Sequence, residues 1–362
     1  MPLDHYVTLG RSGLRVSPFC LGAMTFGEDL GWGSSVSESE AVMDRYIERG
    51  GNFIDTANLY TKGHSEKIIG DHLGRDPKKR DRLVLATKFS ANQYPGDPNG
   101  GGSNRKSILA ACEQSLRRLQ TDYIDLYWLH NWDKFTPIEE TMSALHDLVQ
   151  SGKVRYIGIS DTPAWKTTQA ALIAQTRHWA PVIALQIEYS LLQRTVEGEL
   201  VPMAQELGMG ITPWSPLRGG VLSGKYTRES AKNKAELSQR AWNVHYINDH
   251  SFAVIDLLQS IAKELDNNVA RVALAWVQTR PGVSSTIIGA RNVSQLDDNL
   301  AALEVQLTPK QLAALDELTK PTLNFPAEFM AMAGMIQNGG TTINGERIDM
   351  SPFGVTKKDD HY

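Results

Sequence analysis

Short apolar runs alternate with longer amphipathic segments along most of the chain. Each run is three to six residues long, which suits a buried β-strand, and the segments between the runs carry helix signals. A hairpin is predicted first, from residues 6–9 and 14–16 around a glycine-bounded turn. The eight strands predicted after it are residues 19–21, 52–54, 83–86, 124–129, 154–159, 182–186, 210–212 and 285–288.

The segments between the strands begin with residues that cap helices and end with glycines. Ser37-Glu38-Ser39-Glu40 predicts a capping box, and Thr136-Pro137 and Thr162-Pro163 each predict a hydroxyl cap before a proline in the first turn. Glycines follow several of these segments, where a helix usually ends in a left-handed residue. We expect this conformation at Gly50, Gly74, Gly152 and Gly208.

Strict alternation of strand and helix predicts parallel strands joined by right-handed crossovers. Eight such units close into a (β/α)₈ TIM barrel, an α/β fold. A doubly wound open sheet is the second choice, because no nucleotide-binding fingerprint follows the first strand. We expect one domain over residues 1–362, with its core at about 6–320, an extra C-terminal helix, and an irregular tail at 321–362.

Composition and charge exclude several classes of protein. The 362 residues are 41% hydrophobic and 22% charged, with a net charge of −4 and a pI near 6.2, so no positive field favours nucleic acid or an anionic membrane. Two cysteines, no apolar leader and no run of eighteen apolar residues indicate a soluble protein of a reducing compartment, the cytoplasm. No metal site is predicted, and the oligomeric state is left open.

Three segments interrupt the alternation. The glycine-rich loop at residues 90–102 lacks the Gly-Lys-Ser/Thr of a phosphate cradle, so it is interpreted as a flexible lid. The other two are residues 218–250 and the tail after Lys320, which either packs on the barrel or overhangs its mouth.

Chemically useful side chains follow three neighbouring strands. These are Asp55 and Tyr60, then Lys88, then His130. Each residue alone is more easily explained as ordinary structure, namely a helix cap, a rim aromatic, a solvated lysine and a satisfied histidine. Together at one face of a barrel they suit protonation of a carbonyl oxygen, because a nearby ammonium or imidazolium stabilises the tyrosinate anion.

The motifs around these residues resemble those of the aldo-keto reductases over about the first 320 positions. They include Asn52-Phe53-Ile54-Asp55-Thr56-Ala57 with Tyr60, and Thr121-Asp122-Tyr123-Ile124-Asp125-Leu126 leading to His130. Further matches are Gly152 to Ser160, Trp214-Ser215-Pro216-Leu217, and Ile288-Gly289-Ala290-Arg291. The resemblance implies NADPH-dependent reduction of aldehydes or ketones. It makes Tyr60 the general acid, lets Lys88 and Asp55 depress its pKa, and has His130 orient and polarise the carbonyl.

The resemblance also implies an extended NADP cofactor bound without a Rossmann fold. Trp214 matches the aromatic residue that stacks on the nicotinamide, and Ser160 and Gln186 match residues that hold the carboxamide. Arg291 follows the last strand, where barrels bind phosphate, and its planar fork favours NADP over NAD. The remaining matches are Ser215, Pro216, Leu217, Ile288, Gly289, Ala290, Gln295 and Asn299, and a pyrophosphate loop with Arg218, Gly220, Leu222 and Lys225.

One position departs from the family pattern. Asp161 stands where the family usually has asparagine, so it can accept a hydrogen bond from the carboxamide but cannot donate one. Two interpretations remain open: either nicotinamide orientation depends more on the neighbouring residues, or Asp161 caps the helix at Pro163.

Aromatic residues near the strand ends predict a mouth suited to flat or apolar carbonyl compounds rather than anionic sugars. The residues assigned to the substrate are Phe26, Trp32, Phe89 and Trp132. Two rival functions remain. The same fold serves as a cofactor-sensing regulatory subunit with little turnover, and a TIM-barrel isomerase or aldolase could use Lys88 as a Schiff base, although Asp55 should keep that lysine charged.

Overall fold

The computed structural model describes residues 2–74, 76–228 and 246–352. Eight parallel strands form a nearly closed barrel, so the prediction of a (β/α)₈ fold with an N-terminal hairpin is confirmed. The hairpin pairs β1 (Val7–Thr8) with β2 (Arg15–Val16). The barrel strands are β3 (Phe19–Gly22), β4 (Phe53–Asp55), β5 (Val84–Phe89), β6 (Ile124–Leu129), β7 (Val154–Ser160), β8 (Val182–Glu188), β9 (Gly210–Trp214) and β10 (Thr286–Ile288).

Helices cover the outside of the sheet. In the barrel they are α1 (Val36–Glu48), α2 (His64–Ile69), α3 (Pro77–Arg80), α4 (Arg105–Leu119), α5 (Ile138–Gln150), α6 (Ala164–Thr176), α7 (Leu200–Glu206), α8 (Asp249–Glu264), α9 (Val269–Gln278) and α10 (Val293–Leu300). Beyond the barrel lie α11 (Pro309–Leu318) and α12 (Ala327–Asn338).

Several helix ends differ from the predicted ones. The capping box of α1 is present, but its N-cap is Ser35, whose hydroxyl accepts from the Glu38 amide, so the predicted box lay two residues too late. Pro137 and Pro163 are themselves the N-caps of α5 and α6, without a side-chain cap, so the predicted hydroxyl caps are wrong. Gly50, Gly152 and Gly208 are left-handed, with φ of 91°, 75° and 70°. The fourth glycine of that prediction, residue 74, ends a stretch of π-helix instead.

Two apolar layers enclose the strands. The outer layer lies between the sheet and the helices, and the inner one fills the barrel around Trp128, which is fully buried. A Cβ on Gly158 would lie 2.2 Å from the Trp128 ring, so only glycine on β7 leaves room for that indole. The hairpin closes the bottom, since Leu9 and Val16 belong to the inner layer.

Most strands extend further at the carboxyl end than predicted. β5 continues to Phe89, β8 to Glu188 and β9 to Trp214. Because side chains alternate along a strand, Asp55 shares the inner face with Phe53, and Lys88 shares it with Ala86. The polar residues therefore continue the inner layer upward as the floor of the barrel mouth.

The segments outside the alternation are partly structured. In the predicted lid, Gly102 donates a backbone hydrogen bond to Ser90 at 2.8 Å, which joins the ends of the loop. The tail is not irregular as predicted, because α12 is followed by an antiparallel pair, β11 (Thr342–Ile343) and β12 (Glu346–Arg347). Most of residues 218–250 and the last ten residues lie outside the described part. No helix in the described ranges is long and apolar enough to cross a membrane.

Gly10→Ala should destabilise the protein strongly. Gly10 has a φ of 59°, and an added Cβ would lie 2.4 Å from the Ile183 carbonyl oxygen, a backbone atom that cannot move aside. We expect a loss of at least about 2 kcal/mol in the free energy of unfolding, measured by urea denaturation. Gly13→Ala is the control, because its Cβ would meet nothing within 4 Å. Equal midpoints for the two variants would contradict this account of the hairpin.

Candidate active site

A cavity of about 950 Å³ opens at the carboxyl ends of the strands. Asp55, Tyr60 and His130 line it, and Lys88 lies directly behind them with no exposed surface. All but three of the residues assigned to the cofactor also line it, and the exceptions, Ser160, Leu222 and Ala290, are buried in its wall. The structure thus brings nearly the whole predicted set into one cleft.

The ammonium of Lys88 organises the floor of the cavity. It forms an ion pair with Asp55, donates to the Thr56 carbonyl oxygen at 2.8 Å, and donates to the Tyr60 hydroxyl at 3.2 Å. An ammonium has three protons, so these three partners use all of them. On its other oxygen Asp55 accepts from the Gln186 amide at 3.2 Å, which fixes the carboxylate from both sides.

The charge of Lys88 is held in place by its partners. Burial lowers the pKa of Lys88, but the carboxylate of Asp55 and the Tyr60 hydroxyl outweigh burial, so the pKa lies above its ordinary value. Burial is also the largest effect on Asp55 and raises the pKa of that carboxyl, against the opposing effect of Lys88. A lysine that remains protonated is not a nucleophile, which argues against the Schiff-base alternative.

Tyr60 accepts a hydrogen bond from Lys88, so its own proton must point elsewhere, into the cavity. Burial raises the pKa of Tyr60 above 10, and Lys88 only partly opposes this effect. The expectation that Lys88 and Asp55 depress the phenol pKa is therefore wrong for the protein alone, because desolvation of the anion exceeds the attraction of the ammonium and Asp55 adds repulsion. Tyr60 consequently keeps its proton at neutral pH.

His130 faces Tyr60 edge to face, with ring centroids 6.0 Å apart and planes at 83°. Burial, with a further contribution from the nearby Lys88 charge, lowers the pKa of His130 to about 3. The imidazole is therefore neutral at physiological pH, and the suggestion that an imidazolium stabilises the tyrosinate does not hold. A neutral ring offers one N–H donor and one acceptor.

Unusual backbone geometry places Tyr60 over the lysine. Thr61 and Lys62 are left-handed, with φ of 47° and 59°, and turn the chain sharply after Tyr60. The Thr61 hydroxyl donates to the Phe26 carbonyl at 2.9 Å and accepts from the Ser65 amide at 3.0 Å. Strained residues of this kind persist where surrounding contacts fix them, and they are concentrated at functional sites.

Asp161 and Trp214 form one wall of the cavity. The Trp214 indole donates to Asp161 Oδ1 at 3.1 Å, and Asp161 has a φ of 40°. Because α6 has Pro163 as its N-cap and no side-chain cap, the interpretation of Asp161 as a helix cap is wrong. Burial raises the pKa of Asp161 to about 6, although the Trp214 hydrogen bond opposes the shift.

Glu188 and Tyr246 also line the cavity, although the sequence analysis did not assign them. Glu188 forms an ion pair with Arg218, whose guanidinium lies 3.6 Å from the centroid of the Tyr246 ring. Glu188 was predictable, since it lies two residues beyond Gln186 on the inner face of β8. Tyr246 lies far along the chain, in a segment without a recognisable pattern.

The outer end of the cavity is suited to phosphate. Arg291 just before α10, Gln295 in its first turn and Asn299 near its C-terminal end all line the cavity. The Gln295 side chain accepts from the Arg291 backbone amide at 3.0 Å. Asn299 donates to the Gly289 carbonyl at 3.1 Å. Lys225 supplies a second cation from the opposite loop. A helix N-terminus with Arg and Lys nearby is a typical anion site.

The predicted aromatic mouth needs correction. Of its four assigned residues only Trp32 lines the cavity. Phe89 follows the inward Lys88, so it points outward and packs on Tyr127 at a centroid distance of 4.9 Å. Phe26 is buried in the outer layer, and Trp132 packs against Trp165 at 5.4 Å. Met24 and Leu59 are apolar residues that line the same cavity as Trp32.

With this geometry established, comparison with known proteins identifies the family. Residues 18–320 match the model of the aldo/keto reductase family, and the chain belongs to that family. It is 38% identical to an uncharacterized oxidoreductase of Bacillus subtilis over 323 residues. These residues cover 87% of this chain and 95% of that protein. Family membership makes the protein an oxidoreductase, and the family generally uses nicotinamide cofactors.

Two other relatives carry names that specify chemistry. A putative aryl-alcohol dehydrogenase of Saccharomyces cerevisiae is 34% identical over 325 residues, 87% of this chain and 86% of that protein. A norsolorinic acid reductase of Aspergillus flavus is 32% identical over 338 residues, 90% of this chain and 84% of that protein. These names describe the relatives, and they support carbonyl chemistry for the family.

Lys88→Met should destabilise the fold, because it leaves Asp55 buried without its cation. We expect a loss of about 3–5 kcal/mol in the free energy of unfolding, measured by chemical denaturation. The control is Lys67→Met, which breaks the exposed pair with Asp71 and should cost less than about 1 kcal/mol. If the two variants unfold at the same denaturant concentration, the Lys88–Asp55 pair contributes no more to the stability of the fold than the exposed pair does.

Proposed function

We propose that this protein reduces aldehydes or ketones to alcohols, reversibly, with NADPH as the hydride donor and Tyr60 as the general acid. The observation that carries the proposal is the phenol of Tyr60, which lines the cavity while its oxygen accepts a hydrogen bond from the buried Lys88 at 3.2 Å. A phenol proton aimed into a cleft, above a fixed ammonium, suits donation to an oxygen that becomes negative.

Bound NADPH would supply a hydride to the carbonyl carbon of the substrate. Tyr60 donates its proton to the carbonyl oxygen as negative charge develops there. The phenolate left behind is stabilised by the Lys88 ammonium, which already donates to that oxygen and needs no rearrangement. In the direction of alcohol oxidation the same phenolate accepts the hydroxyl proton.

His130 complements Tyr60 on the other side of the carbonyl oxygen. Because its imidazole is neutral, it donates a hydrogen bond without competing for the role of acid. Two donors converging on one oxygen fix the direction of the carbonyl group and polarise it. His130 is therefore proposed to orient the substrate, and Tyr60 to transfer the proton.

The preference for NADP is argued from the outer end of the cavity. The guanidinium of Arg291 and the N-terminus of α10 can hold a 2′-phosphate, a group that NAD lacks. Lys225, with Arg218 and Gly220, lies where the pyrophosphate would pass. At the inner end, Ser160 and Gln186 are proposed to hold the carboxamide, and Trp214 to stack on the nicotinamide.

The substrate is proposed to be flat and apolar, such as an aromatic aldehyde or ketone. Met24, Trp32 and Leu59 line the mouth beside Tyr60, and they offer apolar surface rather than charge. The names of the aryl-alcohol and norsolorinic acid relatives support the same choice. The regulatory-subunit alternative keeps the pocket, so turnover is the measurement that separates it from the enzyme.

We further propose a single domain located in the cytoplasm. Cys20 and Cys112 are both free and buried, which is compatible with a reducing compartment. Apolar contacts run continuously from the first barrel helix to the last, and so support one folding unit.

Tyr60→Phe should slow carbonyl reduction strongly and leave cofactor binding intact. The variant removes only the hydroxyl, so the cavity keeps its shape while the acid is lost. We expect kcat for an aromatic aldehyde to fall by about 10² to 10⁴, measured by NADPH oxidation. The NADPH dissociation constant, measured by fluorescence titration, should change less than about threefold, since no cofactor contact is assigned to the phenol.

Tyr94→Phe is the matched control, because its hydroxyl contacts Gln114 outside the cavity. It should retain kcat. Near-normal turnover by the Tyr60 variant would place the acid elsewhere, and a wild-type protein that binds NADPH but reduces no aldehyde or ketone would favour the regulatory alternative.

Arg291→Ala should weaken NADPH selectively. The loss of a charge-assisted contact to the 2′-phosphate should raise the NADPH dissociation constant about 10- to 100-fold, while NADH, which lacks that phosphate, changes little. Arg105→Ala provides a control for charge, since Arg105 pairs with Asp147 outside the cavity. Equal weakening of both cofactors would remove the assignment of Arg291 to the phosphate.

A further inference from the structure

The inner end of the cavity contains one charge that no described cation balances. Lys88 is paired with Asp55, and Arg218 with Glu188, so each of these pairs cancels. The side chain of Asp161 accepts from the Trp214 indole, a neutral donor, and forms no ion pair with the residues the structure describes. At neutral pH this wall of the cavity therefore carries an excess negative charge.

Asp161 is held in this position by its surroundings. Its left-handed backbone, with a φ of 40°, is fixed by the amide hydrogen bond to the Gln186 carbonyl at 3.2 Å. Trp214 holds one carboxylate oxygen at 3.1 Å. The carboxylate thus lies in the cavity wall between Gln186 and Trp214, where it is exposed to a ligand in the cavity.

A ligand that brought positive charge to this wall would compensate the carboxylate. The two forms of a nicotinamide cofactor differ in this property, because the oxidised ring is a cation and the reduced ring is neutral. Transfer of hydride to a carbonyl held by Tyr60 requires the ring to lie in the inner part of the cavity, and Asp161, Gln186 and Trp214 line that part.

We propose that Asp161 makes this site discriminate between the redox states of its cofactor, favouring NADP⁺ over NADPH through the charge of its carboxylate. This inference rests on the proposed function, because it requires a nicotinamide ring in the cavity. The carboxylate does not change the overall equilibrium of the reaction. It raises the fraction of enzyme that holds the oxidised cofactor and is ready to bind an alcohol.

The preference should depend on pH in a defined direction. Burial raises the pKa of Asp161 to about 6, so the carboxylate is charged above that pH and neutral well below it. The preference for NADP⁺ is therefore present at pH 8 and lost at pH 5. The ionisable groups around Asp161 are Glu188, Lys88, Tyr60 and His130, and among these Lys88 and Tyr60 stay protonated and His130 stays neutral between pH 5 and pH 8.

The test compares dissociation constants of NADP⁺ and NADPH for the full-length protein by fluorescence titration at pH 8 and pH 5. The readout is the ratio of the two dissociation constants. Both cofactors carry the 2′-phosphate, so the effect of its ionisation on binding cancels in this ratio. In Asp161→Asn, which keeps an oxygen for Trp214 but loses the charge, the preference for NADP⁺ at pH 8 should fall about tenfold. Wild-type protein at pH 5 should approach the ratio of the variant.

Two comparisons separate charge from structure. Trp214→Phe removes the indole and leaves a smaller ring for stacking, so both cofactors should bind more weakly. The variant keeps the Asp161 carboxylate, so the ratio of the two dissociation constants should persist. Burial also raises the pKa of Glu188. A pH dependence due to Glu188 would survive in Asp161→Asn, whereas the proposal requires the pH dependence to disappear in that variant. An unchanged ratio at pH 8 in Asp161→Asn overturns this inference alone. Wild-type protein that binds neither cofactor overturns the proposed function as well.

Discussion

The buried ion pair between Lys88 and Asp55 is the interaction on which the site depends. Two charges without solvent are costly unless each is fully hydrogen-bonded, and here Thr56, Tyr60 and Gln186 complete their shells. The requirement for complete pairing fixes the position of each partner. Tyr60 consequently stands where its oxygen meets the ammonium and its proton meets the cavity.

The barrel makes such a pair possible. Its lower interior is filled by buried apolar side chains, among them Trp128. The polar residues form the next layer above, at the strand ends, where the cavity begins. The apolar packing residues and the polar site residues occupy inward-facing positions of the same strands. Residues that stabilise the fold therefore lie lower along the barrel axis, and the site residues lie at its carboxyl end.

Charge balance gives the cavity two ends with different electrostatics. The inner end contains two ion pairs and Asp161, which forms no ion pair with any residue in the described ranges, whereas the outer end presents Arg291 and Lys225. An extended molecule with anionic groups at one end and a ring that alternates between cationic and neutral at the other fits this arrangement. This arrangement supports the proposed binding of an extended nicotinamide cofactor along the cleft, with its ring at the inner end.

The sequence alone determined the eight strands, the barrel and the strand ends that carry Asp55, Tyr60, Lys88 and His130, because periodicity and strand-end chemistry are local properties. The two-residue spacing from Gln186 also indicates that Glu188 lies on the same face of its strand. Tertiary structure decided the pKa values and the side-chain directions, which depend on the neighbours of each residue. Desolvation raised the pKa of Tyr60 against the expected direction and kept His130 neutral, and strand direction turned Phe89 away from the cavity. Burial and side-chain direction emerge only when distant segments pack together, and this is why the electrostatics and the mouth required the folded structure.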